Sequence, residues 1–415
     1  MKRLEKLGIT LLLLAGLTVG LYPNGLNLNG NGSKAIGMGG AFVGLADDYS
    51  ALYWNPAGLI QTKNTTITLF VSDVIPSGTY KLDAYGIDAE TETKHYITPG
   101  FAFVRPLSDK VVIGFYAHVP SGLGAKWKGD QLKMLTSGKT YQWESMVGLV
   151  SFSPGIAVKL SDIFSLGATV NINYGLLKLK RPINALIGQY EEDLSGWAVG
   201  ATFGALFKPS DKFSMGLSFK LPIQTTMSGT AKIPGASILG LPGEDDAERA
   251  AEWPLWAGAG IAFKPTDRLT LTADVHYTNW KTMTVIEMDF YNQGWKTYFE
   301  EGANFEMKWK DTLQLRLGME YKASEALALR AGYYHDPNPS PKKTQNILLP
   351  EITYNFFNVG FGYKTKHLTV DASCEFGFGK DKVIGFTEVD PNAGMPGTHG
   401  MNMVVPNISF TYNFN

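Results

Sequence analysis

Cysteine is almost missing from this chain of 415 residues, with Cys374 its single example. One thiol excludes an internal disulfide framework and any paired-cysteine metal knuckle. Histidine is scarce as well: His95, His118, His276, His335, His367 and His399 are scattered along the chain. No nucleophile motif stands near any of them, and the adjacent His335-Asp336 pair does not by itself make a catalytic unit. With no HExxH and no paired carboxylate–histidine spacing, no catalytic residue, no metal and no cofactor is expected. An excess of one charge sign is lacking too. The 37 basic and 38 acidic residues leave a net charge of −1, which excludes a nucleic-acid partner captured by a basic field. Finally, no apolar run reaches the length of a membrane helix. Mean hydropathy is −0.06, and the longest candidate, "LGITLLLLAGLTVGLY" (7–22), falls short of the ~20 residues that a hydrocarbon core requires.

That stretch fits an export signal instead. Lys2, Arg3 and Lys6 form a positive start, Leu7 to Leu17 an apolar middle, and Thr18-Val19-Gly20 a small-residue cleavage step. Residues 1–20 are therefore expected to be a signal peptide, with the mature chain starting near Leu21. No cysteine follows the apolar stretch, which excludes a lipoprotein anchor.

What the chain does have, from residue 64 onward, is a period of two. "LTLTADVHYTNW" sets Leu269, Leu271, Ala273, Val275 and Tyr277 against Thr270, Thr272, Asp274, His276 and Thr278. "TLQLRLGMEYK" and "LTVDASCEFGFG" repeat the pattern, with Arg316, Glu320, Asp371 and Glu375 on the polar side. In a strand each set occupies one face. Short polar breaks ("PLSDK", "LSDI", "KPSDK", "KPTDR", "KASEA", "KTKH") alternate with long ones at 81–94, 121–142, 181–194, 230–252, 284–308, 337–352 and 380–402. The spacing predicts up-and-down antiparallel strands over 64–80, 95–106, 110–120, 143–160, 163–180, 195–208, 212–229, 253–264, 268–283, 309–322, 326–336, 353–365, 368–379 and 403–414, which are fourteen strands.

A soluble β-protein would bury the apolar faces; a transmembrane barrel turns them outward to lipid and leaves no sheet edge unpaired. The signal, the segregation of short turns from long loops, and aromatics near strand ends (Tyr277, Trp280, Tyr333, Tyr334, Tyr412, expected in interface girdles) favour the all-β transmembrane antiparallel barrel. Cys374 then faces lipid as a small apolar residue. The opposite parity lines the lumen: Lys220, Asp274, Arg316, Glu320, Arg330, Asp371 and Glu375. A porin selecting ions would carry one sign at a constriction. Mixed signs suggest ion pairs that brace the wall and grip a plug, with Arg316 or Arg330 as a second reading, a holder of a substrate carboxylate.

Ahead of the strands stands "GLNLNGNGSKAIGMGGAFVGLADDYSALYWNPAGL" (25–59), rich in glycine and alanine, which allow close backbone approach. Pro56 fixes its own φ and biases Asn55 away from helix, so the chain turns there. This head resembles the N-terminal hatch of the FadL-type outer-membrane transporters of fatty acids and hydrocarbons. "HVPSGLG" (118–124), "DVHYTNW" (274–280), "WKDTLQLRLGMEYK" (309–322), "LALRAGYYHDPNPSP" (327–341) and "LPEITYNFFNVGFGYK" (349–364) resemble later blocks of the same family, in order. One departure stands at the end: "ISFTYNFN" makes Phe414 penultimate, whereas family barrels usually close on an aromatic residue.

The resemblance implies a fourteen-stranded barrel (64–415) plugged by a hatch (21–63), in the bacterial outer membrane, monomeric, with outer-membrane lipid around it. It implies passive uptake of hydrophobic small molecules, released sideways through the wall. Asn55, Pro56 and Ala57 would form the gate beside strand 110–120. Two greasy loop stretches, Ile183, Leu186 and Ile187 in one and Ile233, Ile238, Leu239 and Leu241 in the other, would form a first capture groove or a loop mini-core. A non-specific diffusion porin and an outer-membrane barrel enzyme are the alternatives.

Overall fold

The structure is a computed structural model and describes residues 25–28 and 31–414. The expected signal peptide lies outside the described residues. Fourteen antiparallel strands close on themselves. They are β1 (Thr66–Leu82), β2 (Tyr96–Ser108), β3 (Val111–Trp127), β4 (Trp143–Ser161), β5 (Phe164–Asn184) and β6 (Gly188–Ser210). Next come β7, broken at Leu221-Pro222 into Phe213–Lys220 and Ile223–Lys232, and β8, broken at Pro254-Leu255 into Glu244–Trp253 and Trp256–Thr266. The remainder are β9 (Leu269–Thr278), β10 (Thr312–Lys322), β11 (Leu327–Asp336), β12 (Thr353–Lys364), β13 (Leu368–Lys380) and β14 (Gly397–Asn413). Each strand pairs with the next, and β14 returns to β1 in register from Thr66↔Asn413 onward. The penultimate Phe414 joins the closure, its N–H donating to Thr65 O at 2.9 Å.

The faces are sorted as an apolar solvent demands. On β10, Leu315 and Leu317 are 43% and 56% exposed, while Gln314 and Arg316 between them are 1% exposed. Phe357, Val359, Phe361 and Tyr363 of β12 point outward while Asn358 points in. Polar residues lie inside and apolar ones outside, the reverse of a soluble domain. Two of the aromatics assigned to an outer girdle do not belong to one. Trp280 and Tyr334 are fully buried, because Trp280 sits where the chain leaves β9 and folds back over the lumen, and Tyr334 shares the inward parity of Asp336.

Tight turns at one end and long connections at the other follow the expected segregation, but the strands run further into the long-loop end than the polar breaks suggest. The stretch 181–194 is a hairpin, not a long loop: β5 and β6 pair out to Asn184↔Gly188. Cross-strand pairs Lys178–Asp193 and Lys180–Glu191 line its exposed face, and Leu177, Leu179, Tyr190 and Leu194 its buried one; Lys232–Glu244 does the same between β7 and β8. Opposite charges across a ladder look like loop sequence in one dimension and stabilise strands in three. Connection 279–311 folds inward, and its Trp280, Phe290, Trp295 and Trp309 join Tyr190, Ile233 and Trp253 in an apolar cap over that end. A buried bidentate pair, Arg249 with Glu192 at 2.9 and 3.0 Å, ties β8 to β6, and the same guanidinium donates to Ala303 O and Ile286 O of the connection.

Candidate functional site

The interior is occupied by the protein's own N-terminal segment. From Asn31 to Leu59 nearly every residue is buried, in two short helices (Ser33–Gly37 and Ala51–Trp54) and a 3₁₀ turn (Pro56–Gln61). Helices this short are not stable alone; the wall supplies their partners. Val43 N–H donates to Asp274 Oδ2 at 2.8 Å, Arg316 Nη1 donates to Gly39 O at 2.9 Å, and Ser214 Oγ donates to Gly44 O at 2.6 Å. Gly40 has φ +64°, and a Cβ there would lie 2.5 Å from Arg316 Nη1, so both its backbone and its space require glycine.

Asn55 is completely buried. Its Nδ2 donates to Val43 O at 2.9 Å and to Ala205 O of β6 at 3.0 Å, while its Oδ1 accepts from Ala57 N–H at 3.2 Å as an N-cap. The turn that opens at Pro56 touches β3, and the Asn55-Pro56-Ala57 step also reaches further round the wall. It packs on Gly167 of β5, Gly204 of β6 and Gly216 of β7, where a Cβ would collide with Ala57 N, Asn55 Oδ1 and Val43 O respectively. Three glycines flatten that part of the wall, and the triplet settles where the wall is flat. Leu52 is the residue that faces Gly114 of β3.

The inward charges form connected sets. Arg330 bridges Glu320 at 2.7 Å and Asp371 at 2.6 Å, and Glu320 approaches Lys34 of the plug at 3.8 Å, which itself grips Asp47 at 2.8 Å. Glu375 accepts from Tyr334 OH at 2.7 Å and Asn358 Nδ2 at 3.0 Å. Arg316 donates to Gln314 Oε1 as well as to Gly39 and lies over the Tyr334 ring. Both arginines weighed as carboxylate holders therefore already have protein partners. Lys220 is different. Its ammonium sits 3.2 Å from the Tyr53 ring centroid and 4.4 Å from that of Trp256.

The loop residues split. Ile187 and Ile233 are buried in the cap, Ile183 and Leu241 pack against it, and Leu186, Ile238 and Leu239 stay exposed, Leu186 at 70%.

Between β2 and β3 the wall is open. Their pairing ends at Phe101↔Ala117. Beyond it Tyr96–Gly100 pair only with β1, and β3 bulges between His118 and Ser121, at Val119-Pro120. Residues of the N-terminal segment cover the bulge from inside: Leu28 N–H donates to Pro120 O at 3.0 Å and Gly122 N–H to Leu26 O at 2.9 Å. Further out, Glu92 N–H meets Lys126 O and closes the ring again. The aperture holds about 390 Å³ and is lined by Leu28, Val74, Ile97, Val119, Leu123, Met146 and Met403, among others. Irregular backbone at this depth is tolerated where it lines a cavity. Sequence reasoning had the Pro-x-Gly step of 118–124 but no signal for Leu26–Leu28 as its inner cover. A wider groove of about 870 Å³, lined by Phe207, Met215 and Leu317 among others, lies against the apolar wall of β6 to β10.

A closed barrel, apolar outside, stoppered inside and open at one seam, defines a plugged transmembrane channel. The chain belongs to the outer membrane protein transport protein family (OMPP1/FadL/TodX), whose model matches residues 20–414. It is similar to outer membrane protein P1 of Haemophilus influenzae, 22% identical over 408 residues and 85% of each chain. It is also similar to the 47 kDa outer membrane protein of Pasteurella multocida, 22% identical over 91% of this chain and 92% of that one. In fold it matches a crystal structure of a Pseudomonas aeruginosa FadL homologue (TM-score 0.78, 19% identity, 94% of this chain and 100% of that one). The Pseudomonas putida toluene transporter TodX matches with TM-score 0.73 and 17% identity over 94% of this chain and 99% of that one. The family transports hydrophobic compounds, and its members are outer-membrane proteins.

Proposed function

We propose that this chain takes up hydrophobic small molecules, fatty acids or hydrocarbons, passively and without bond-breaking chemistry, and releases them sideways into the bilayer through the seam between β2 and β3. The single observation that carries the reading is that aperture of about 390 Å³ with an apolar lining. Lateral release suits an apolar ligand, because each buried CH₂ is worth about 0.8 kcal/mol and an aqueous pore would forfeit that at every step. Residues 1–20 act as export signal, 21–63 as hatch and 64–415 as barrel, and the protein works as a monomer surrounded by outer-membrane lipid. Leu186, Ile238 and Leu239 offer the first apolar contact on the outer side, while Ile183, Ile187, Ile233 and Leu241 brace them from beneath. Asn55, Pro56 and Ala57 hold the hatch to the wall, and Asp274, Arg316, Glu320, Arg330, Asp371 and Glu375 brace it. Rearrangement of Leu26–Leu28 exposes the seam from inside.

Gly122 faces that cover, with Leu28 Cδ1 3.8 Å from the position of a Cβ. A Gly122→Phe substitution fills the aperture and should sharply reduce uptake of a radiolabelled long-chain alkane or fatty acid, while sugar entry in a liposome-swelling assay stays slow in both proteins. Unchanged uptake by the variant rejects lateral release, and fast sugar entry by the wild type would favour a diffusion porin.

A further inference from the structure

The near-neutral balance of the chain hides a division between its two ends. The six tight turns at 105–110, 159–163, 208–212, 264–268, 322–326 and 364–367 hold ten basic residues against five acidic ones. The seven long connections hold 15 basic against 22 acidic. In five of the turns one lysine stands at a fixed height. The backbone N–H groups of Lys159, Lys208, Lys264, Lys322 and Lys364 each donate at 2.8 Å to the residue just before the neighbouring strand, namely Lys110, Ile163, Lys212, Arg268 and Ala326. The five sit on β4, β6, β8, β10 and β12, two strands or about 10 Å apart.

All five have the inward parity, since Ala157, Leu206, Ala262, Glu320 and Gly362 two positions earlier are buried. Lys208 Nζ reaches Gln61 Oε1 of the plug at 3.4 Å, and Lys264 lies within electrostatic reach of Asp47, Lys34, Lys208 and Lys322. The lysines therefore line the mouth beneath the plug, and the short turns place that mouth on the periplasmic side. Membrane lipid, outside the wall, is not what they face.

Like charges also stand opposite one another there. The rungs set Lys159 against Lys110, Lys264 against Lys212 and Lys322 against Arg268, a destabilising arrangement on one face of a ladder. Turn chemistry answers only two of the five lysines. Lys159 meets Asp162 at 2.7 Å and Lys208 meets Asp211 at 3.7 Å, both carboxylates being almost wholly exposed. Lys264, Lys322 and Lys364 enter no ion pair among the described residues. The carboxylates that act on Lys264 and Lys322, Asp47 and Glu320, are already held by Lys34 and Arg330. A cationic mouth with low-dielectric walls focuses its field on whatever enters it.

We propose that the periplasmic mouth is a docking surface for an extended, acidic segment of another polypeptide. Three residues of an extended chain span about 10 Å, so carboxylates on every third residue meet successive lysines and offset the like-charge pairs. Seated there, the segment competes with Gln61 and Asp47 for Lys208 and Lys264, against the underside of the plug. The inference stands apart from what the barrel carries.

The test is fluorescence anisotropy with the full-length barrel in phosphatidylcholine nanodiscs. The probe is a fluorescein-labelled peptide of five glutamates separated by pairs of glycines, with its glutamine counterpart as control. The wild type is expected to bind the glutamate peptide alone, and more weakly as salt rises. Lys264→Gln with Lys322→Gln should weaken binding about fivefold, the value of two exposed ion pairs. Arg105→Gln with Lys366→Gln removes the same charge from the same end but outside the ring, and should cost less than about twofold. The wild-type comparison of the two peptides decides the matter even where a variant misfolds. Equal binding of the two peptides, binding of neither, or equal losses in the two double variants overturns the proposal. So does loss of binding in phosphatidylglycerol discs, which assigns the ring to lipid phosphate, or tighter binding of soluble peptidoglycan fragments, which assigns it to the cell wall.

Discussion

Asn55→Ala is the sharpest probe of how the plug is held. The side chain donates to Val43 O at 2.9 Å and Ala205 O at 3.0 Å and accepts from Ala57 N–H at 3.2 Å, all with Asn55 fully buried. Each buried bond contributes about 1 kcal/mol net, more where the abandoned partner stays dry. Three of them give about 3 kcal/mol, or about a hundredfold in an opening equilibrium. The effect belongs to the plug and not the barrel, because one of the three bonds crosses to β6 and the other two fasten the plug to itself. Native-state hydrogen exchange in nanodiscs reads it directly. Amides in 43–58 should exchange about a hundredfold faster than in the wild type, while those of β11 and β12 keep their rates. Asn55→Asp, nearly identical in shape, should do worse, since it points carboxylate oxygen at two carbonyl oxygens. If the plug amides keep their wild-type protection in both variants, the triplet is not an anchor and the reasoning fails.

Arg330→Met leaves Asp371 without its buried partner and Glu320 with only Lys34 at 3.8 Å, and should destabilise the barrel by about 3–5 kcal/mol, visible as a lower midpoint in urea unfolding. Gly204→Ala drives a methyl to 2.1 Å from Asn55 Oδ1 and should cost about 1–3 kcal/mol of plug docking, read by the same exchange experiment. Arg249→Met leaves Glu192 uncompensated under the cap and releases connection 279–311, so limited proteolysis should cut within 284–308 in the variant first. The last prediction concerns pH. Burial, with Glu351 opposing and Lys342 adding, holds the Lys382 ammonium down at about 7 against an ordinary 10.5, where it donates to Ser340 O and Gln345 Oε1. The unfolded loop binds that proton more tightly, so docking is strongest above pH 10.5, weakens as pH falls toward 7, and changes no further below. A nitroxide at Asn392 should become more mobile across that window, and Lys382→Met should flatten the response.

The architecture was legible because a strand's facing pattern is local. Leu315, Leu317 and Met319 against Gln314, Arg316 and Gly318 reveal an outer and an inner side without reference to any other part of the chain. The hairpin at 181–194 was misread for the opposite reason: Glu191 and Asp193 look like loop residues until Lys180 and Lys178 of the preceding strand stand across from them. The plug's docking was illegible too. Asn55 meets Ala205 across 150 positions, and nothing near either residue announces the other. Likewise Tyr334 and Trp280 carry the composition of an interface aromatic, and only the direction the chain takes after β9 and the parity of β11 put them inside. Lys220 could be assigned to the lumen by parity; that it lies between the Tyr53 and Trp256 rings appears only once every neighbour is in position.

Pro120 sits in the bulge of β3 and has no N–H to give. The ladder between β2 and β3 therefore has a missing rung written into the covalent chain, and no relaxation of the backbone can zip it shut. A doorway of this kind needs no energy to stay unlatched along its frame. Among the described residues Leu26 to Leu28 lie across it on the inner side, tied to Pro120 and Gly122 by backbone bonds, so under the proposed lateral release the resistance at the seam is that of this short segment and not a deformation of the wall.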